Sequence, residues 1–347
     1  MKKPTTKKAG LPKVRRRAVA ADAEWVNVAP LFDDGPIPTL VTPRVEGLGL
    51  VDWASTHTEQ LMGLWERDRA VLLRGFDVEA RDGFRAFTDI AGEGPRLPYV
   101  DRSTPREDHG SSVYCTTIYP AEQTIRLHNE GSYWAAHPLK AFFTCVTPPP
   151  VGGETPIADV HAVHERIDPA VREEFARRRW MLVRNYHAGF ALRWQDVFQT
   201  ESRDEVEAYC GKNRIECEWL SGGGLRTRQV RDPILHHPRT GEPLWHNHAA
   251  FFHISTRDAE VREALSSEFE ADELPYNTYY GDGGAIDADV VRHINEAYDA
   301  ELVKFRWQPG DVLMIDNVRV AHAREPYEGD RLILVALKEA FVPEAAA

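Results

Sequence analysis

Apolar positions along the chain fall into two kinds of stretch. Short runs dense in β-branched and aromatic residues occupy 70–76, 113–119, 139–147, 311–320 and 332–342, and each predicts a strand. Elsewhere apolar residues recur three or four apart behind helix-starting residues. Residues 55–68 carry Leu61, Leu64 and Trp65 on one face, Asp168 caps a helix with Pro169 in its first position, and Asp287 caps one carrying Val290, Ile294 and Tyr298. Ser255 and Asp258 form a capping-box pattern ahead of Val261, Leu265 and Phe269. Many short strands with helices inserted between them predict a mainly β protein, a sandwich or jelly roll rather than a doubly wound sheet. Neither GxGxxG nor GxxxxGK[ST] occurs, so a nucleotide fold has no support. No linker or repeat divides residues 21–347, which read as one domain, with Pro148-Pro149-Pro150 and Gly152-Gly153 forming a rigid turn inside it.

Composition narrows the function classes. The chain has 347 residues, 42% of them hydrophobic, enough for a large core. The net charge is −12; the first 17 residues carry eight Lys/Arg and no acid, which leaves −20 on the remainder. Residues 1–20 are therefore predicted to be a disordered basic tail. The acidic body repels nucleic acid and anionic lipid, and neither is expected as a partner. No run of 18 apolar residues occurs, and no apolar stretch follows the basic start, so neither a spanning helix nor a secretory signal is expected. Four cysteines without a CxxC pair fit a reducing, cytoplasmic setting and offer no cysteine-based zinc site. A homo-oligomer is compatible with this composition.

The first chemical signal is Leu127-His128-Asn129-Glu130. Residues two apart on an extended segment share a face, so His128 and Glu130 could bind one metal or form a surface ion pair. Downstream, Gly310-Asp311-Val312 leads through Asp316-Asn317 to Ala321-His322-Ala323-Arg324, and Arg331 follows nine residues after His322. Two His and one carboxylate make the facial triad of non-haem Fe(II) oxygenases, with three positions left for a chelating co-substrate and O2. An Arg one strand away suits the far carboxylate of a 2-oxo acid, which a planar guanidinium grips through two parallel hydrogen bonds. Thr155, just past the Pro-Gly turn, could add a hydroxyl or be an ordinary strand-start residue.

These motifs resemble the TauD/TfdA family of Fe(II)/2-oxoglutarate-dependent dioxygenases, and within it the SyrP-like hydroxylases of nonribosomal peptide pathways. The resemblance spans residues 70–340. It runs through His128-Asn129-Glu130-Gly131-Ser132-Tyr133, Gly152-Gly153-Glu154-Thr155-Pro156, Arg184-Asn185-Tyr186, Leu225-Arg226-Thr227-Arg228, His237 to Trp245, Tyr280-Gly281-Asp282-Gly283, Asp316-Asn317 and His322. It implies a double-stranded β-helix, Fe(II) held by His128, Glu130 and His322, and 2-oxoglutarate held by Arg331 with Thr155, with O2 as second co-substrate. Trp245-His246-Asn247-His248 stands where relatives carry Trp-Phe-Asn-Gln, and Ala321-His322-Ala323-Arg324 where they carry Ala-His-Gly-Arg.

The implied activity is hydroxylation of an unactivated C–H in an amino acid or similar small polar acid, free or presented by a peptidyl carrier protein. Desaturation or cyclisation could follow the same hydrogen abstraction. Halogenation is disfavoured, because it needs the position that Glu130 fills. Arg324, two residues past His322, and Arg126, two before His128, are candidates for a substrate carboxylate, with Asn129, Trp245 and Asn247 as further substrate-side candidates. A competing class is a zinc hydrolase built on His246, His248 and His253. His236-His237 reads as a structural turn and His161 with His164 as a solvated helix face. Arg184 and Arg226 are open to either an inner salt bridge or substrate binding.

Overall fold

The structure, a computed structural model, describes residues 25–343 apart from 34, 36, 80, 105, 117–118 and 187–191. The predicted basic tail lies outside the described residues. A seven-stranded sheet runs Val26–Pro30, Thr39–Pro43, Ala70–Leu73, Val312–Asp316, His137–Thr147, Leu332–Phe341, Tyr114–Cys115. Its pairings are antiparallel except that of Thr39–Pro43 with Ala70–Leu73. A three-stranded sheet of Ile125–His128, Val320–Arg324 and Ile157–Asp159 forms the second layer.

The central strands are buried on both sides, which explains their unbroken apolar runs. Alternation still sorts the side chains. Val71, Leu73, Phe142, Met314, Leu334 and Ala336 pack with Trp53, Leu61, Trp65, Phe84 and Phe87 of the helices that cover one face. Their neighbours Leu72, Ala141, Phe143, Leu313, Ile315 and Val335 pack toward Ile157 and Val320 of the small sheet. The result is a mainly β jelly roll with inserted helices. A separate four-stranded sheet, Glu216–Trp219, Leu225–Arg231, Trp180–Tyr186 and Tyr276–Tyr280, stands beside it.

Several elements differ from the expectations. The run 311–320 is two strands, Val312–Asp316 and Val320–Arg324, lying in different sheets. The Asp316 carboxylate accepts the backbone N–H groups of Val318 (3.0 Å) and Arg319 (3.1 Å), which turns the chain from one layer to the other. The helix expected over 55–68 is two, Leu50–Thr56 and Thr58–Asp68. His57 between them has φ −127° and ψ 31°, and the hydroxyls of Thr56 and Thr58 bond to carbonyls of the preceding turn. Asp168 and Asp287 cap their helices as expected. Asp258 precedes helix Ala259–Glu268 without a side-chain cap, and that helix buries no residue. Among the described residues of 113–119, the strand is Tyr114–Cys115.

Trp245, expected at the substrate opening, is instead fully buried in the main core. Its ring meets Phe175 edge-on at 5.2 Å. Trp245→Ala should therefore lower unfolding free energy by about 3–5 kcal/mol in chemical denaturation, the usual cost of emptying a large aromatic site. A volume-retaining Trp245→Phe should lose much less.

Candidate active site

The antiparallel pairing of Ile125–His128 with Val320–Arg324 makes His322 the direct cross-strand partner of His128. Their rings lie 4.4 Å apart between centroids. Glu130, two residues on, brings its carboxylate to the same point: ligand atoms from His128, Glu130 and His322 all lie within 4.8 Å of one another, and His322 Nε2 is 3.7 Å from Glu130 Oε2. His128 Nδ1 sits 2.8 Å from the Arg126 carbonyl, an obligate acceptor, so it carries the proton and leaves the Nε2 lone pair available to a metal. Phe143 of the large sheet closes the back, with its ring 4.9 Å from that of His322.

Asn317 fixes the carboxylate arm. Its Oδ1 accepts the Glu130 N–H at 2.9 Å, while its Nδ2 donates to the carbonyls of Glu130 and Pro138, both at 2.9 Å. Asn129 donates to the Asn317 carbonyl at 2.7 Å. The preceding Asp316 is held by buried His237 at 2.9 Å, so His237 is the structural residue its turn suggested.

Burial raises the proton affinity of Glu130, but Arg106 and the two imidazoles overcome it and hold the carboxyl well below the usual carboxylate range. Arg106 Nη2 lies 3.0 and 3.1 Å from the two carboxylate oxygens, with the guanidinium 4.1 Å above the Tyr99 ring. Burial and the neighbouring His322 push His128 down to about 3, so it is a neutral donor at working pH. Two imidazoles and one carboxylate converging from one side fit an Fe(II) facial triad.

Beside this point Arg331 is the charged wall of a recess shared with His128, Glu130 and His322. Its Nη1 donates to Thr116 Oγ1 at 3.0 Å, its Nη2 reaches Thr155 Oγ1 at 3.4 Å, and its Nε donates to the Gly153 carbonyl at 3.0 Å. Trp307 Nε1 donates to Thr155 Oγ1 at 3.0 Å and orients that hydroxyl. The Gly152-Gly153 turn makes this possible: both have positive φ (66° and 70°), and a Cβ would lie 2.2 Å from the Pro326 carbonyl oxygen at the first and 2.4 Å from Pro149 Cγ at the second. Burial and nearby Arg324 push the Arg331 guanidinium down to about 10. No carboxylate among the described residues pairs with it, so a 2-oxo acid carboxylate suits the place.

A larger cavity of about 600 Å³ meets His128 and Glu130 at its inner end. Tyr133, His248, Phe251, Phe252 and Tyr276 wall it.

The family model for "Taurine catabolism dioxygenase TauD, TfdA family" matches residues 33–337. The chain belongs to this family. The dapdiamide synthesis protein DdaC of Enterobacter agglomerans is 39% identical over 319 residues, covering 92% of this chain and 96% of that protein. A clavaminate synthase-like protein of Arabidopsis thaliana is 28% identical over 280 residues, covering 75% and 81%. Among solved structures, PvcB of Pseudomonas aeruginosa matches with TM-score 0.52 and 17% identity over 90% of each chain. AAD-2, solved with Mn(II) and N-oxalylglycine, matches with TM-score 0.52 and 13% identity over 92% of this chain and 98% of its own. The fold is the double-stranded β-helix of these oxygenases, and the enzyme is a non-haem iron dioxygenase using Fe(II), 2-oxoglutarate and O2.

The substrate-side expectations fare differently in the dioxygenase. Arg324 lines the recess, but its guanidinium donates to three backbone carbonyls, of Tyr119 (2.9 Å), Pro120 (2.5 Å) and Gln123 (2.6 Å), and so fastens segment 119–123. It pairs with neither Glu325 nor Asp330. Arg126 lies on the rim, exposed, 3.9 Å from Asp299. A register shift between His322 and Arg324 separates these two arginines from simple cross-strand pairing. Asn129 and Asn247 are buried scaffold, the latter donating to the Pro233 carbonyl and accepting from Ala249 N–H. Trp245 is core. His246, His248 and His253 do not form a metal-binding group among the described residues, which removes the zinc reading. His246 is buried edge-on against His137, His248 stacks on Phe252 and hydrogen-bonds Ser132, and His253 bonds Ser255. His164 is buried, not solvated. Arg184 makes the inner salt bridge, with Asp101 at 2.5 Å, and Arg226 bonds Asn185 at 2.7 Å.

Arg106, Thr116 and Asn317 carry roles that spacing does not expose, although the Asp316-Asn317 pair was visible as a motif. Asn317→Ala should leave the Glu130 backbone groups unsatisfied and weaken Fe(II) binding by about 10–100-fold in anaerobic titration, as loss of a supporting shell does. Arg331→Lys, which loses the fork but keeps charge, should raise the KM for 2-oxoglutarate more than tenfold, with Thr155→Ala milder.

Proposed function

We propose that this dioxygenase hydroxylates an unactivated C–H of an amino acid or similar small polar acid, free or tethered to a peptidyl carrier protein, in a specialised-metabolite pathway. The observation that carries the reading is the cavity of about 600 Å³ that ends on His128 and Glu130, a size suited to a small molecule. The similarity to DdaC, a protein named for dapdiamide synthesis, supports the biosynthetic setting.

In this reading His128, Glu130 and His322 hold the iron. Bound with 2-oxoglutarate and O2, the iron supplies the oxidising power to take hydrogen from an unactivated carbon. Arg331, Thr155 and Thr116 hold the distal carboxylate of the co-substrate. Arg106 keeps Glu130 ionised and aimed, and the filled carboxylate position favours hydroxylation over halogenation. Phe251, Phe252 and Tyr276 exclude water and aim one substrate carbon toward the triad. Desaturation and cyclisation differ from hydroxylation only in that placement, so product mass distinguishes them.

The test is succinate release across free amino acids and their carrier-bound thioesters, with product mass followed in parallel. Turnover should need Fe(II) and 2-oxoglutarate, add one oxygen to a panel member, and vanish with metal binding in His128→Ala and His322→Ala. Glu130→Ala should lose hydroxylation without gaining chlorination. A chlorinated product from the wild type, or full succinate formation by either His variant, would overturn the assignment.

A further inference from the structure

We propose that Arg257 is the anchor for a carboxylate of the prime substrate, and that helix Ala259–Glu268 is the apolar wall beside it. This rests on the small-acid reading above and names the residues that enforce it. Arg257 lines the 600 Å³ cavity that ends on His128 and Glu130. Its guanidinium lies 4.7 Å over the Tyr276 ring, its Nη1 makes only a long 3.4 Å contact with Tyr119 Oη, and its Nε is buried with no hydrogen-bond partner. No carboxylate among the described residues forms an ion pair with it.

The other arginines on this cavity are engaged differently. Arg106 holds Glu130, and Arg126 is drawn outward to Asp299. Arg324, on the adjoining recess, gives both terminal nitrogens to backbone carbonyls. Arg257 is the one of these four whose guanidinium meets neither a carboxylate nor a carbonyl among the described residues; its Nε, like that of Arg324, is buried without an acceptor. A partly buried cation in that condition is costly unless an anion completes it, and two tyrosines fix it in place beforehand.

Its backbone is equally fixed. His253 Nδ1 bonds both the N–H (3.2 Å) and hydroxyl (2.8 Å) of Ser255, Thr256 Oγ1 donates to the His253 carbonyl at 2.7 Å, and Asn277 Oδ1 accepts the Ile254 N–H at 3.0 Å. His253 thus serves the turn that presents Arg257. The helix that follows buries none of its residues, yet Val261 and Leu265 line the cavity. An apolar pair withheld from the core and turned to a cavity fits a substrate's aliphatic part. Glu122 and Asp258 on the same cavity disfavour a second anion and suit an ammonium group.

The experiment uses the holoenzyme with Fe(II) and 2-oxoglutarate. The probes are the twenty protein L-amino acids, each matched with its uncharged C-terminal amide, together with carrier-bound thioesters. Binding is measured anaerobically by calorimetry, and succinate and oxidised product are measured together under O2. The proposal expects at least one free acid to bind and turn over well ahead of its amide. Arg257→Gln should raise the KM for that acid more than tenfold and leave succinate forming without matching product. Iron binding, the KM for 2-oxoglutarate and the weak affinity for the amide should not change. Arg257→Lys should recover part of the acid's affinity. Equal loss for acid and amide, or an unchanged KM in Arg257→Gln, overturns the anchor while leaving the dioxygenase reading intact. Turnover confined to thioesters, which lack the free carboxylate, also overturns it. A wild type that neither binds nor oxidises any free acid or thioester overturns the small-acid reading itself, and the anchor with it.

Discussion

The site depends on one cross-strand register, His322 opposite His128. Side chains alternate faces along a strand, so a slip of one residue would turn one imidazole into the opposite layer and leave the other without a partner. Two constraints pin that register. Asp316 turns the chain out of the large sheet, and Asn317 then bonds both backbone groups of Glu130, so the segments bearing the two ends of the ligand set are tied to each other rather than separately to the core. Phe143 behind His322 fills the space into which the ring could otherwise rotate.

Charge is arranged against the overall balance of the molecule. The chain carries −12, yet the recess and cavity present Arg331, Arg324 and Arg257, none of which pairs with a carboxylate among the described residues. Arg106 is the exception, because its partner is Glu130. Unpaired guanidinium groups in a sheltered concavity create a local field that a solvated acidic exterior screens only partly. That field favours the anionic co-substrate, whereas Arg324, whose terminal nitrogens meet three carbonyls, supplies charge without offering a binding fork.

Where the structure departs from the sequence reading, a specific hydrogen bond or packing contact that composition does not express is the cause. The run 311–320 has the composition of one strand, but the Asp316 carboxylate finds backbone N–H groups two and three residues on and bends it into two sheets. Helix Ala259–Glu268 has apolar residues at helical spacing, which ordinarily marks a core face, and they line a cavity instead. Trp245 and Asn247 sit in a motif that the family resemblance places beside the substrate opening, and both are consumed by packing and backbone hydrogen bonds. Arg106 and Thr116 lie where no periodicity marks them out.

The sequence by itself determined what short-range geometry can express: the jelly-roll class from run lengths and alternation, the shared face of His128 and Glu130 from the two-residue period, and the family from His322, Arg331 and the intervening motifs. Tertiary structure alone decided which arginine meets a carboxylate, which meets carbonyls and which meets neither, as Arg106, Arg324 and Arg257 show. The physical reason is that periodicity belongs to the local backbone, whereas the charge state and free valence of a side chain depend on groups that folding brings to it from as far as Tyr119 is from Arg324, 205 positions along the chain.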